Sequence, residues 1–257
     1  MDISRAKDIL DFWFSKGRYT PDYKKWFTNS TKYDKQIQKK FGDLLTEAEH
    51  GKGFGWLVNK DSYVAHIILM DQFSRHIYRG TKDAFKNDKG CLIFAELGWE
   101  LYKEELQGYE FMFAFMPYMH TENLLYQKKG EAHFSEHIKL YYNMSYYDHV
   151  PVKRPFNIDR ITCGRTGKTK TSSSEKKTNN DIEWEMLESI KDLILSNTTI
   201  VQIFGRFPHR NQVLGRKTTK EEQQYLDDKE NENILFHRIK KITLYVGPLN
   251  WHNYNTI

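Results

Sequence analysis

Only two cysteines, Cys91 and Cys163, occur in 257 residues. That excludes a disulfide framework and a four-cysteine zinc site. Six prolines and fifteen glycines are too few for a collagen-like or linker-like chain. No stretch approaches the ~18 uninterrupted apolar residues of a membrane helix, and no charged-then-apolar leader precedes a small-residue cleavage site at the N-terminus. The metal and dinucleotide patterns HExxH, CxxC and GxGxxG are missing as well. These absences lead to a soluble, cytoplasmic protein, and no cofactor, metal or membrane partner is expected.

Apolar material is plentiful, with 39% hydrophobic and 15% aromatic residues. A chain of this length can bury roughly 70–75% of its unfolded surface, so a single helical domain over residues 1–257 is expected. The net charge of +5 is unevenly placed. Residues 153–180 contain eight Lys/Arg and two Asp/Glu, which leaves the rest of the chain near neutral. The run TKTSSSEKKTNN lies in this stretch, so residues 143–180 read as a basic, flexible, low-complexity insertion. Contact with nucleic acid through it is not expected, because the usual fate of such a charge run is a solvated loop.

Elsewhere the apolar residues recur with the period of a helix. Ile3, Ala6, Ile9, Leu10 and Trp13 form one stripe, with Ser4 as a candidate N-cap. Tyr33, Ile37, Phe41, Leu44 and Ala48 form a second, which Gly51 would end. From Asp61 to Phe73 the apolar positions are dense enough for a core helix. Further helices are expected near Asp88, from Thr121 to Tyr142, and from Ile182 to Phe204. Thr219 and Glu222 spell a capping box for a last short helix, and the proline of YEFMFAFMPYM disfavours helix at Met116. One strand is suggested, KKITLYVG at 240–247, in a C-terminal extension over 228–257. The segment TCGRTGKT (162–169) misses the phosphate-loop pattern at Thr162 and lacks a buried strand before it. No tetratricopeptide consensus recurs at ~34–45 residues.

Three segments set polar groups beside strongly apolar neighbours. In DQFSRHIYRG, a continuous helix would place Asp71, Arg75 and Arg79 on one face, where guanidinium groups could hold a carboxylate or phosphate. In MPYMHTENLLYQ, His120 and Glu122 follow the proline and are candidates for general acid/base work. In FGRFPHRNQVLGR, a glycine- and proline-bounded turn presents Arg206, His209, Arg210, Asn211 and Arg216.

These three blocks, together with DILDFWF and Trp26-Phe27, resemble the signature blocks of the bacterial Domain of Unknown Function 924 family over roughly residues 6–142 and 182–227. The resemblance implies an all-α fold, a tetratricopeptide-like bundle of antiparallel helices, and names no activity. Against the family pattern, Ser74 stands for proline, His76 for asparagine, Met119 for glutamate and Asn197 for histidine.

The functional expectation is an Arg/His-rich pocket for a small acidic ligand or peptide terminus. Asp71, Arg75, Arg79, Arg206, Arg210, Asn211 and Arg216 would bind, while His209, His120 and Glu122 would activate water if the ligand is hydrolysed. The alternative is a tetratricopeptide-like scaffold that binds another protein without catalysis, in which the same polar clusters are structural.

Overall fold

The helical period of the sequence becomes helix in a computed structural model, which describes residues 2–27, 30–142 and 179–230. The elements in chain order are α1 (Arg5–Trp13), α2 (Tyr23–Phe27), α3 (Thr31–Glu47), α4 (Lys60–Ile67), α5 (Ser74–Ile77), α6 (Asp88–Tyr102), α7 (Gly108–His120), α8 (Leu124–Tyr142), α9 (Asn179–Phe204) and α10 (Lys220–Glu230). No strand occurs among the described residues, so the described fold is all-α. The basic insertion, the near phosphate-loop at 162–169 and the strand expected at 240–247 lie outside those residues. The chain divides into two units, residues 1–198 and 199–257.

In the first unit the core is built on α7. Every residue from Gly108 to Met119 is buried, because α4, α6, α8 and the segment Ile68–Phe73 all pack on this helix. Pro117 sits inside α7 without ending it, contrary to the break expected from sequence. Proline lowers helix stability by removing one backbone hydrogen bond and crowding the preceding turn. Burial on every side of α7 outweighs that local cost.

Aromatic rings fill the space between α1, α2, α3 and α7. Trp13 meets Phe73 and Phe113 edge-on at centroid distances of 5.3 and 5.5 Å, and Trp26 meets Phe113 at 5.0 Å. Such edge-to-face pairs are favoured by the ring quadrupole. Trp56 and Trp99 are buried as well. Tyr63 of α4 lies so close to Gly98 of α6 that a Cβ there would fall 2.1 Å from its ring, so the glycine sets the α4–α6 spacing.

The caps are partly as expected. Gly51 has φ of +80° after α3, a left-handed stop that glycine adopts without penalty. Asn59 caps α4 by accepting from the Ser62 N–H. Ser4 does not cap α1: its backbone is already helical and its hydroxyl donates to Asp2. Thr121 is extended, and α8 begins at Leu124, where the Asn123 side chain accepts from the Leu125 N–H.

Between α4 and α5 the helix does not stop but widens. Residues Ile68–Phe73 form a π-helical turn, a rare element that is common at functional sites. It carries Asp71 and Gln72, both buried, and the Ser74 hydroxyl donates to the Met70 carbonyl beside it at 2.6 Å.

Candidate functional site

The π turn aims Asp71 at the last residue of α7. Asp71 is 1% exposed, and its Oδ1 lies 2.7 Å from His120 Nδ1. A second contact comes from Arg75 Nη1, 3.0 Å from the same oxygen, while Gln72 Nε2 donates to Oδ2. Burial alone would raise the Asp71 pKa, but Arg75, His120 and these hydrogen bonds hold it well below the usual carboxylate range. The carboxylate is therefore ionised at neutral pH and can only accept. Its partner Nδ1 must then carry the proton, which fixes Nε2 of a neutral His120 as the accepting nitrogen.

His120 is pushed toward the neutral form by burial and by Arg75, against the opposing pull of Asp71. About a fifth of its side chain, 22%, remains open to solvent. A neutral imidazole with its tautomer set by a buried carboxylate is the arrangement that general-base chemistry requires.

Arg75 spans two carboxylates, with Nη2 2.9 Å from Asp88 Oδ1. Arg79 does not share its face, because α5 ends at Ile77 and the Tyr78 backbone leaves the helix. Arg79 instead grips Asp34 of α3 with Nε and Nη2 at 2.8 and 2.9 Å. His76, buried, joins the same carboxylate through Nδ1 at 2.7 Å. Thus the expected face of Asp71, Arg75 and Arg79 becomes two separate ion-pair groups, one centred on Asp71 and the other on Asp34.

Glu122 stands two residues past His120 in the link to α8. Near it, the Met119 carbonyl accepts from Gln127 Nε2 at 3.0 Å and from Asn197 Nδ2 at 3.1 Å. Asn197 therefore fixes the end of α7 from which His120 projects.

In the second unit, the turn 204–219 is organised by Glu222, which the sequence marks as a cap alone. Glu222 is buried. It accepts from Arg206 Nε and Nη2 at 2.6 and 2.9 Å, from Asn211 Nδ2 at 3.0 Å and from the Thr219 N–H at 2.8 Å. The Glu222 N–H bonds back to Thr219 Oγ1, completing the expected capping box. The Arg206 bond, above all, lowers the Glu222 pKa to about 2, with burial opposing and Thr219 and Asn211 assisting. Gly205 and Gly215 take left-handed φ values of +68° and +64°, which lets the chain fold tightly about that carboxylate. Arg210 is buried with its guanidinium 4.8 Å over the Phe207 ring, and Arg216 Nη2 donates to the Phe207 carbonyl. His209, between the buried Pro208 and Arg210, is exposed.

A cavity of about 630 Å³ lies between α1 and α3 and contains none of the residues expected to form a site. Lys25 lines it together with Arg5, Lys40, Phe12 and Ser15. The Lys25 ammonium is buried and donates to the Phe12 carbonyl and to Ser15 Oγ, both at 2.6 Å, with Asp22 at 3.4 Å. Its charge is spent on fixing α2 to the end of α1. Among the described residues, no group of three or more His, Cys, Asp or Glu is placed to hold a metal ion, and no helix is long and apolar enough to cross a membrane.

Comparison with known proteins adds two findings. A family model described as a bacterial protein of unknown function (DUF924) matches residues 9–230. The fold is similar to a solved structure of a protein of unknown function from Agrobacterium tumefaciens, with a TM-score of 0.60, 26% sequence identity, 88% of this chain covered and 98% of that one. Among curated proteins there is no match.

Proposed function

We propose, for a chain that belongs to the bacterial DUF924 family of unknown function, that it binds a small acidic ligand or peptide terminus and acts on it through His120. The observation that carries this reading is the His120–Asp71 pair: a solvent-reaching imidazole oriented by a carboxylate that is itself buried and held by Arg75 and Gln72. In such a pair Nε2 takes a proton from an attacking water, and Asp71 stabilises the imidazolium that results.

The arginines enter this reading mostly in a supporting role. Arg75, Arg79 and Arg206 each hold a carboxylate of the protein, so using them as ligand clamps would break buried or half-buried pairs at considerable cost. The second unit has a basic stretch of its own: residues 204–220 hold five Lys/Arg and no Asp/Glu, and His209 there is exposed. The test is a binding screen with mono- and dicarboxylates, inorganic phosphate and short peptides, read by the His120 ring resonances in NMR. At least one class should shift those resonances, and His120→Gln should abolish its effect on the melting temperature. No response of His120 to any member of the panel would refute the reading.

The second reading, a tetratricopeptide-like scaffold for another protein, draws support from the same ion pairs taken as purely structural. Under it, Asp71→Asn and Glu222→Gln lower the melting temperature and no member of the panel binds.

A further inference from the structure

The face of α6 that points away from α4 and α7 is apolar where a surface helix should be polar. Ile93, Leu97 and Leu101 stand at successive i, i+4 positions and are 45%, 49% and 59% exposed. The turn before α4 extends the patch. Phe54, 57% exposed, has its ring 6.3 Å from Phe94 of α6, and Val58, 63% exposed, follows Leu57, whose carbonyl accepts from Tyr102 at the end of α6. Single exposed apolar residues are ordinary, but a contiguous group of this kind marks an interaction surface.

The ends of the stripe carry opposite charge. Exposed Lys89 lies on the first turn of α6, and Glu104 and Glu105 follow its last turn. A helix of this design is complementary to itself when reversed. Turned end for end about Leu97, it sets Ile93 against Leu101 of the other copy and Leu97 against Leu97, and it brings Lys89 over the Glu104–Glu105 end. Both copies contribute the same ridge and each basic end meets an acidic one, as a two-fold interface requires. A partner with one sign of charge along its length would match only half of this pattern.

We propose that the α6 face is a homodimer interface, two copies packing antiparallel through Ile93, Leu97 and Leu101 with Lys89 facing Glu105 across the two-fold axis. An interface centred on a few side chains from each copy is expected to be weak, so the dimer depends on protein concentration.

The test is sedimentation equilibrium of the full chain from roughly 1 to 500 µM, a range that brackets weak association. The expected result is a mass rising from one chain toward two. Leu97→Glu sets two like charges together on the axis and should weaken association at least ~10-fold, with helicity unchanged because the side chain is exposed. Lys89→Glu should weaken it less, and adding Glu105→Lys should restore it. Register is read by cysteine crosslinking in a Cys163→Ser background, where native Cys91 is buried. Leu97→Cys should crosslink to itself under mild oxidation, whereas Ile93→Cys should crosslink only when mixed with Leu101→Cys. A single mass at all concentrations, as expected if the stripe serves a different protein, would overturn the proposal. So would a dimer indifferent to Leu97→Glu, or a Leu97→Cys variant that forms no crosslink to itself.

Discussion

Asp71 and His120, 49 residues apart in sequence, are joined by a 2.7 Å contact from a π turn to the last residue of a buried helix. Neither residue could be held in this way by its own element. The carboxylate needs the widened turn to face α7, and the imidazole needs the anchored end of α7 to stay against it.

Asp71→Asn removes the negative charge that favours protonated His120. The His120 pKa should therefore fall further below 6.5, as followed by an NMR titration of its ring. The same change leaves Arg75 with one carboxylate instead of two, and should cost about 3 kcal/mol of stability in denaturant unfolding.

Glu222→Ala takes away the one acceptor shared by Arg206, Asn211 and the Thr219 N–H. Amide exchange at residues 206–222 should accelerate by ~10-fold or more, the equivalent of losing a buried charge-assisted network worth at least about 1.4 kcal/mol. In the intact protein the Glu222 pKa is lowered to about 2. Its contribution is thus complete above the ordinary glutamate pKa and is lost as pH falls from there toward 2.

Acid should destabilise the first unit earlier, through histidine. Burial lowers the pKa values of His66 and His137 to about 3; His66 packs on Phe94 at 4.0 Å, and His137 stacks on Phe111 at 3.6 Å. Above pH 6.5 neither the folded nor the unfolded state protonates them, so their stability is fully present. As pH falls from 6.5 toward 3 the unfolded state binds protons that the folded state refuses. Stability should then drop by about 1.4 kcal/mol per pH unit for each such histidine. His66→Phe should remove one proton from that slope in urea melts measured between pH 4 and pH 7.

Gly98→Ala drives a methyl group into the Tyr63 ring, which is fully buried and cannot swing clear. Separating α4 from α6 should cost about 1–3 kcal/mol and lower the melting temperature by several degrees.

Much of this fold is legible in the sequence because a helix is a local object. The stripes Tyr33–Ala48 and Ile182–Phe204, the stop at Gly51 and the Thr219–Glu222 box need only neighbours within a few residues. Asp34, which receives both His76 and Arg79, is 42 and 45 residues from them and gives no local signal. Glu222 is visible only in its local role, since its bonds to Arg206 and Asn211 reach 16 and 11 residues back. Pro117 misleads for the opposite reason: its local preference is real, but the packing around α7 overrides it. The π turn has no composition of its own. Ile68–Phe73 reads as an ordinary apolar helix, and the face assigned to Arg79 fails because the helix ends before that residue.

The widened turn at Ile68–Phe73 has one more effect. Each residue advances an α-helix by about 100°, so an extra residue absorbed there puts the stretches before and after it out of phase. One continuous rod thereby addresses two neighbours, α7 through Asp71 and α3 through His76. Excising a single amino acid from the bulge would hardly shorten the rod, but would re-aim its downstream half and pull His76 off Asp34.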